Sequence, residues 1–311
     1  MQELTQSELQ SLKELRQVFL GEGIERRKDY WEDVRLLSLY DRTFARRIGW
    51  KWDAILDELK RKGGMPAGLP VVDFGCGTGV AVEKWLERFP AATVHLLDRS
   101  TTAMRFAKEK LERLFPGVVV QTHSSPTDLP AEATWLVSHV VNELGERDSL
   151  ALVEWLARAS AFVWAEPGMS NVSRVVIEAR EKLRATHRML APCPHQSVCG
   201  LLDPARAEDW CHHFAKPPGE VHTSSFWKRL GNELKIDLRS LPVSYLVGVK
   251  GVDGAEKRDP RVIGRARTYK GYALAYVCRE SGVAEEKFMA RDNKALVKEL
   301  DEGAFDQPIK A

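Results

Sequence analysis

Three glycines at alternate positions, Gly75, Gly77 and Gly79, follow an apolar run that contains Asp73, and a helical pattern follows them. This order predicts a strand, a tight turn and a helix. Glycine lets the backbone adopt positive φ and approach a ligand closely, and the free N–H groups of the next helix attract an electron-rich group. Asp98 ends the next apolar run, where a carboxylate can hold two ribose hydroxyls. These residues indicate a site for a nucleoside-type ligand.

The glycine spacing is G-x-G-x-G, whereas a nicotinamide-binding turn has G-x-G-x-x-G. With Asp73 on the preceding strand, the stretch resembles motif I of class I S-adenosyl-L-methionine (SAM) methyltransferases. The resemblance implies that SAM binds here. Asp73 would then orient water or the methionine amino group, and the glycines would lie under the methionine part. A glycine turn without this ligand, in some other α/β protein, is the alternative.

Polar residues also follow later predicted strands, at the edge of a parallel sheet where ligands bind. His139, Asn142 and Glu143 follow the fourth predicted strand, where many methyltransferases place catalytic groups. His139 is a candidate general base, with a structural hydrogen-bonding role as the alternative. Asp128 is a candidate for contact with the adenine, and Glu166 is expected in a rigid turn beneath the site. The Asp/Asn-Pro-Pro-Tyr box is absent, so the catalytic residue stays unknown.

Four cysteines outside the glycine turn are the candidate metal ligands: Cys193, Cys199, Cys211 and Cys278. Three of them lie in one proline-rich segment, and Cys278 ends a later apolar run. Four thiolates suit a tetrahedral zinc ion or a [4Fe–4S] cluster. The sequence contains no Cys-x-x-Cys knuckle, which favours the bulkier cluster. His195 and His212 are alternative zinc ligands, and isolated buried cysteines are the remaining interpretation.

Strand and helix alternate around these residues, which predicts a parallel sheet covered on both faces. We expect an α/β class I methyltransferase (Rossmann-like) fold with a seven-stranded sheet. Residues 241–249 and 271–278 would form an antiparallel pair at its edge, after a helix at about 172–190. The predicted units are an N-terminal helical extension (1–64), a SAM-binding Rossmann-like core (65–190), a cysteine-rich metal-binding insertion (191–235), the last two strands with a basic face (236–280) and a helical tail (281–311).

The 311-residue chain contains 44% hydrophobic and 29% charged residues, as soluble globular proteins do. Its net charge of +2 and pI of about 8.2 require that any nucleic-acid surface be a local patch. No apolar run approaches the ~18 residues of a membrane span, and the polar first residues match neither a signal nor a transit peptide. We therefore expect a cytoplasmic bacterial protein, monomeric and without a membrane partner.

Basic residues become frequent after the cysteine segment, with aromatic residues between them. Such residues can pair with phosphates and stack on unpaired bases. A solvated face with balancing carboxylates is the alternative. The basic positions are Lys216, Lys228, Arg229, Lys235, Arg239, Lys257, Arg258, Arg261, Arg265, Arg267 and Lys270, and the aromatic positions are Trp227, Tyr245 and Tyr269.

Several short motifs together carry a family resemblance. They are Val141-Asn142-Glu143-Leu144, Glu166-Pro167-Gly168, Ala191-Pro192-Cys193-Pro194-His195, Trp210-Cys211-His212 and Cys278. They resemble the methyltransferase-like assembly factors of the mitochondrial small ribosomal subunit and their bacterial relatives. The resemblance implies that the four cysteines hold a [4Fe–4S] cluster and that the partners are the small subunit and its rRNA. The chain departs from the family at Gly77-Thr78-Gly79, where relatives often carry Gly-Pro-Gly, and at His213, which is an extra histidine.

Three functions are compatible with these features. The first is SAM-dependent methylation of 16S-type rRNA, with positioning of the reactants as the main source of rate. The second is a non-catalytic assembly factor in which SAM and the cluster are structural ligands. The absence of the Asn-Pro-Pro-Tyr box and of a clear base favours this second function. The third is a zinc-containing methyltransferase for a small molecule or a protein.

Overall fold

The computed structural model describes residues 3–20, 30–251, 258–306 and 308–309. Its first part is helical, as the sequence predicts, with α1 (Gln6–Leu20), α2 (Val34–Tyr40) and α3 (Arg46–Lys62). One π-helical segment, Asp41–Ala45, joins α2 to α3. Helix α3 ends where Gly63 adopts a φ of 69° and its N–H bonds the carbonyl of Leu59.

A mixed sheet forms the centre of the molecule. Its strands are β1 (Val71–Phe74), β2 (Thr93–Leu97), β3 (Val119–His123), β4 (Thr134–Ser138), β5 (Ala161–Pro167), β6 (His187–Ala191), β7 (His213–Ala215) and β8 (Leu241–Lys250). Seven of them follow the order β3-β2-β1-β4-β5-β8-β6, and β7 pairs with β8 beside that path. Strand β8 runs antiparallel to β5 and β6, whereas β1 to β5 are parallel. This order is that of a Rossmann-like methyltransferase fold, which confirms the predicted fold class.

Helices cover both faces of this sheet. Helices α3, α4 (Val80–Leu86) and α5 (Thr101–Leu114) pack on one face, and α6 (Glu146–Arg158) and α7 (Ser170–Leu183) pack on the other. The strands are therefore apolar on both sides, as in other buried parallel sheets. Their carboxyl ends remain at one edge, which is where ligands bind in such folds.

A second, antiparallel sheet follows the first and contains β9 (Arg261–Tyr269), β10 (Tyr272–Arg279) and β11 (Gly282–Met289). Helix α10 (Lys294–Glu302) covers one face, where Leu300 packs on apolar residues of β9 and β10. The other face contributes Ile263 and Val283 to a small core with Leu201 of the cysteine segment. The second sheet is thereby attached to the segment that carries the cysteines.

A buried ion pair also joins the second sheet to the N-terminal helices. The Arg261 guanidinium on β9 donates to the Glu58 carboxylate on α3 at 2.6 Å. Lys62 and the Tyr245 hydroxyl also donate to Glu58, which is fully buried. Because a buried carboxylate is stable only when paired, these donors fix α3 against β8 and β9.

The structure corrects three predictions about the C-terminal half. The predicted helix at 172–190 ends at Leu183, and its last part is strand β6, because short apolar runs fit both helix and strand periods. Residues 271–278 are not the partner of 241–249, since β10 lies in the second sheet and β8 pairs with β5 and β6. The tail 281–311, predicted to be helical, contains β11 before α10, and the consecutive charged residues Glu285, Glu286 and Lys287 of β11 suit an edge strand.

Two further helices, α8 (Glu220–Thr223) and α9 (Ser225–Leu234), follow β7. Trp227 and Leu230 of α9 pack in one core with Leu9 and Leu12 of α1. The first helix of the chain is thereby attached to the helix that follows the cysteine segment. Among the described residues, no helix combines the length and the apolar character that crossing a bilayer requires.

Candidate functional site

A cavity of about 410 Å³ lies at the carboxyl ends of the central parallel strands. Gly75 and Gly77 of the glycine turn, Asp98 after β2 and His139 after β4 line it. The structure therefore brings together residues that are far apart in sequence, at the edge where the sequence places the ligand. The same cavity is closed on one side by Trp31 and other residues of the N-terminal segment.

The three glycines adopt positive φ, but they do so for different reasons. A Cβ on Gly75 would lie 2.5 Å from Val140 Cγ1, so this position brings the turn against the loop after β4. A Cβ on Gly79 would lie 3.1 Å from the Cβ of Ala107, so Gly79 permits close packing on α5. Only the first two, Gly75 and Gly77, line the cavity.

Asp98 is fixed by the glycine turn. Its Oδ2 accepts a hydrogen bond from the Gly77 N–H at 2.8 Å, and its Oδ1 accepts one from the Ser100 N–H at 3.0 Å. Burial raises the pKa of this carboxyl, and the two N–H donors oppose that shift. Each oxygen keeps a second lone pair, so Asp98 can still accept two hydroxyl hydrogen bonds from a ligand.

Asp73 lies beneath the glycine turn, outside the lining of the cavity. It is fully buried, and neither carboxylate oxygen has a hydrogen-bond partner of normal geometry among the described residues. Burial raises its pKa to about 8, and the nearby Asp98 carboxylate acts in the same direction. A carboxyl with this pKa is largely protonated at neutral pH.

Asp128 is exposed and also lies outside the cavity lining, although Ser124 and Pro126 of the same segment contribute to it. The prolines that flank Asp128 divert the chain into a short 3₁₀ turn, and the side chain remains at the surface. The structure thus places Ser124 and Pro126, and not Asp128, in the lining of the cavity.

The loop after β4 carries the candidate catalytic residues. His139 has a φ of 57°, an uncommon value for a residue with a side chain, and its ring faces the cavity. Glu143 also lines the cavity and forms an ion pair with Arg99 at 2.9 Å. Asn142 is exposed and outside the lining. The structure brings two of the three candidates to the cavity.

Residues of α3 hold this loop from outside the cavity. Lys51 Nζ lies 3.3 Å from His139 Nε2, and the Trp52 indole N–H donates to Ser138 Oγ at 2.9 Å. Burial lowers the pKa of Lys51 to about 7, and the neighbouring Arg47 lowers it further while Glu166 opposes the shift. Burial also lowers the pKa of His139, so its ring is neutral near pH 7.

Glu166 supports the same loop from below, but it does so from within β5, and not from the rigid turn after the strand that the sequence predicts. Its Oε1 accepts hydrogen bonds from the N–H groups of Val140 at 3.0 Å and Val141 at 3.3 Å, and from the Trp164 indole at 2.8 Å. Its Oε2 is buried without a partner among the described residues. Burial raises the pKa of Glu166 to about 7, against the effect of these donors.

Sequence reasoning missed the contribution of the N-terminal segment. Trp31, Tyr40 and Ile48 line the cavity, and the Trp31 ring lies 3.3 Å from the position that a Cβ on Gly77 would take. The Ser100 hydroxyl bonds the carbonyl of Trp31 at 3.0 Å, which ties this segment to the loop after β2. The apolar stripes of these helices predicted packing, but no spacing indicated a wall of the cavity.

The four candidate metal ligands lie in the same region of the molecule, near α7 and the second sheet. Cys199, Cys211 and Cys278 pack against the small core around Leu201. Burial raises the pKa of Cys211 well above its usual range, and the charges of Cys193, Cys199 and Cys278 raise it further. Burial likewise raises the pKa of Cys278 to about 12. The thiols of the cysteine segment and the Cys278 thiol of β10 are therefore close enough for their charges to interact.

A buried arginine faces the cysteines. Arg180 of α7, which is 2% exposed, donates from Nε to Cys193 Sγ at 3.2 Å and from Nη2 to the carbonyl of His195 at 3.0 Å. The His195 ring lies 3.5 Å from Cys278 Sγ, and the His213 ring lies 3.7 Å from Cys211 Sγ. Within the described ranges, no three His, Cys, Asp or Glu side chains are close enough together to hold a single metal ion.

The predicted basic and aromatic face is only partly a surface. Trp227, Tyr245 and Arg261 are buried, whereas Tyr269 is 47% exposed and stacks on Tyr272. The predicted position Lys257 lies outside the described residues. A reading of residue types alone could not separate the buried rings from the exposed ones.

The family model described as mitochondrial small ribosomal subunit Rsm22 matches residues 51–302. Among solved structures, the chain is similar to the magnesium protoporphyrin IX methyltransferase of Synechocystis PCC 6803 with bound SAM, at 12% identity, covering 80% of this chain and 100% of that one with a TM-score of 0.42. It is also similar to the precorrin-6y C5,15-methyltransferase of Geobacter metallireducens, at 14% identity, 64% and 87% coverage and a TM-score of 0.38. The comparison with curated proteins gives no match. Because the family model spans most of the chain, the protein belongs to the mitochondrial small ribosomal subunit Rsm22 family.

Proposed function

We propose that this protein is a SAM-binding, methyltransferase-like protein that acts on the small ribosomal subunit and carries a [4Fe–4S] cluster. The observation that carries the proposal is the cavity in which the glycine turn and Asp98 meet at the carboxyl ends of the strands. Membership of the Rsm22 family supplies the partner, the small ribosomal subunit and its rRNA. The expected compartment is the bacterial cytoplasm.

The residues of the cavity suit SAM. Asp98 is held by two N–H groups and has lone pairs for the ribose hydroxyls. Gly75 and Gly77 leave room for the methionine part above the turn, and the Trp31 and Tyr40 rings supply apolar walls for the rest of the ligand. Bound SAM would supply an electrophilic methyl group. The chain itself binds and orients the reactants. Positioning of this kind is the main contribution that we expect from the protein to transfer of the methyl group.

His139 is the side chain best placed to handle a proton of the methyl acceptor. It lines the cavity, and the Glu166 carboxylate fixes the backbone that follows it. While Lys51 is protonated, however, its ammonium group engages the single lone pair of a neutral His139 ring. This contact favours the second candidate function, a non-catalytic assembly factor in which SAM is a structural ligand.

The choice of a cluster over a single zinc ion rests on the sequence, in which no Cys-x-x-Cys knuckle occurs. The thiols of Cys193, Cys199, Cys211 and Cys278 lie within range of each other's charge, although within the described part of the chain no three of them are close enough together to hold a single metal ion. The Arg180 guanidinium beside Cys193 provides a positive charge, which a buried set of thiolates requires. A zinc ion with fewer of these ligands is the alternative.

An assay with immature small subunits and methyl-labelled SAM tests the proposal. Co-sedimentation of the protein with the subunits, together with transfer of label to 16S-type rRNA, supports a methyltransferase. Co-sedimentation and SAM binding without transfer support the assembly factor. Failure to bind both the subunits and SAM would contradict the proposed function, and transfer to a small molecule or a protein instead would favour the zinc-containing alternative.

A further inference from the structure

The residues around β7 present two different faces. Cys211 and His213 point inward, where the Cys211 carbonyl accepts hydrogen bonds from the Ser173 and Ser244 hydroxyls at 2.8 and 2.7 Å. His213 is buried and lies with its ring 5.3 Å from the Tyr245 ring. Because successive side chains of an extended chain alternate, the residues between and beside these two must face the opposite way.

Three aromatic side chains occupy that opposite face. Trp210 stacks on His212 with ring centroids 4.8 Å apart and planes 19° apart, and His212 meets Phe214 edge to face at 5.3 Å. Arg265 of β9 completes the row, with its guanidinium carbon 4.0 Å from the centre of the Phe214 ring. All three rings are partly exposed. We call these four residues the aromatic row.

The neighbouring strand is shaped to fit this row. Gly264 of β9 donates its N–H to the carbonyl of His212 at 2.7 Å. A Cβ on Gly264 would come within 3.2 Å of the His212 ring, and the residue has a φ of 71°. The absence of a side chain at this position therefore leaves the imidazole in place between its two aromatic neighbours.

The aromatic row begins at the carboxyl end of β5, at the same edge of the main sheet as the cavity. The Trp210 indole N–H donates to the carbonyl of Gly168 at 3.1 Å, directly after β5. Glu166, two residues earlier, binds the backbone of Val140 and Val141 at the cavity wall. A polymer that rests on Trp210 thus lies at the same edge of the sheet as the proposed SAM site.

We propose that the aromatic row binds single-stranded RNA, with an unpaired base stacked on Trp210 and phosphates near Arg265. The inference rests on the proposed function, since it names the surface that would meet rRNA. Among the described residues, the only ring or cation that contacts Trp210 is His212, so its second face has no such partner. Aromatic rings bind any unpaired base, whereas a duplex hides its base faces. The half-exposed rings and the guanidinium therefore select an unpaired strand.

Fluorescence anisotropy with a labelled 10-nucleotide single-stranded RNA of mixed sequence tests this surface. Trp210→Ala should weaken binding about tenfold or more, the usual cost of one lost stacked base. Trp210→Phe keeps the ring but loses the N–H donor to Gly168, so it should bind within about threefold of the unmodified protein. Arg265→Gln should weaken binding and reduce the salt dependence by about one phosphate contact.

The controls separate this inference from the proposed function. Val119→Ala removes an exposed apolar side chain of β3, at the edge of the main sheet away from β8 and β7, and should leave the affinity unchanged, and a duplex of the same sequence should bind more weakly to every variant. If the unmodified protein binds small subunits but Trp210→Ala and Arg265→Gln bind RNA equally well, the aromatic row is not the surface. If the unmodified protein binds neither subunits nor RNA, the proposed function fails with it. Circular dichroism of each variant verifies the fold. If Trp210→Ala unfolds, the RNA affinities of Trp210→Phe and Arg265→Gln show whether the aromatic row binds RNA.

Discussion

The carboxylate of Asp98 accepts the N–H of Gly77 at 2.8 Å, so the acidic residue and the glycine turn form one unit. This hydrogen bond sets the direction of both carboxylate oxygens at the edge of the sheet that borders the cavity. A second bond from Ser100 holds the other oxygen, and Ser100 in turn bonds the carbonyl of Trp31.

Asp98→Ala should weaken SAM binding about ten- to a hundredfold, since hydrogen bonds to a charged group each contribute about 1.5–3 kcal/mol. Isothermal titration calorimetry with SAM gives the affinity. Asp128→Ala is the matched control, because Asp128 is exposed and outside the cavity lining. Equal affinities of Asp98→Ala and the unmodified protein would exclude Asp98 from the SAM site.

The cysteine variants should separate cluster ligands from a packing thiol. Anaerobically purified protein should contain about four iron and four sulfide per chain and absorb broadly in the visible range, as cubane clusters do. Cys199→Ser and Cys278→Ser should lose most of the iron. Cys76→Ala is the control, because Cys76 is buried in the glycine turn and does not belong to the small core against which Cys199, Cys211 and Cys278 pack. Zinc at one equivalent with no iron would instead support the zinc alternative.

Glu58 should make the stability of the protein sensitive to acid. Burial alone would raise its pKa, but Arg261 and Lys62 outweigh burial and hold the pKa at about 2, below the ordinary value of 4.5. The folded protein therefore gains stability from Glu58 above pH 4.5, and this gain is lost as pH falls from 4.5 towards 2. Urea unfolding at several pH values measures it.

Glu58→Gln should cost about 3–5 kcal/mol at pH 7, because Arg261 then stays buried without its carboxylate. The variant should also lose less stability than the unmodified protein between pH 4.5 and 2. Glu87→Gln, at a partly exposed ion pair with Lys84, should cost less than about 1 kcal/mol. A Glu58→Gln protein as stable as the Glu87 variant would show that the buried pair contributes nothing.

Lys51 should reduce stability at neutral and acidic pH. Its pKa of about 7 lies below the ordinary 10.5, mainly through burial and also through Arg47, while Glu166 opposes the shift and His139 accepts its hydrogen bond. The cost of burying the ammonium is complete below pH 7 and disappears as pH rises towards 10.5. Lys51→Met should therefore stabilise the protein by about 1–4 kcal/mol at pH 6.

The difference between Lys51→Met and the unmodified protein should shrink between pH 7 and 10. Chemical denaturation at pH 6, 8 and 9.5 follows it. Lys60→Met, at an exposed position of the same helix, should show no such trend. A variant that is less stable than the unmodified protein at pH 6 would mean that the bond to His139 outweighs the burial of the charge.

The sequence predicted about the first half of the fold well because its signals are local. The glycine turn needs positive φ at Gly75, and the alternation of strand and helix up to β5 follows from apolar periods. The same reasoning placed β6 inside a helix, since five residues with an apolar majority fit either period. It also assigned β10 to the main sheet, because pairing between strands is not visible in local patterns.

The site residues stay a prediction, but the structure shows which of them meet at the cavity and which tertiary packing places elsewhere. Asp98 is at the cavity, whereas Asp73 is beneath it and Asp128 outside it, although all three follow or end predicted strands. Trp31 and Lys51 reach the site from helices that carry no recognisable motif. Such contributions depend on how α3 docks on the sheet, which residue spacing does not encode.

The pairing of Glu58 with Arg261 also limits how the gene can be shortened for laboratory work. The two residues are 203 positions apart, and the second sheet supplies both Arg261 and Cys278. A recombinant fragment that stops after β8 would keep every strand of the Rossmann-like sheet, yet it would leave Glu58 of α3 without its Arg261 partner and would expose the surface that β9 covers. Expression of the ligand-binding half alone should therefore yield insoluble or protease-sensitive material, and both sheets have to be produced as one polypeptide.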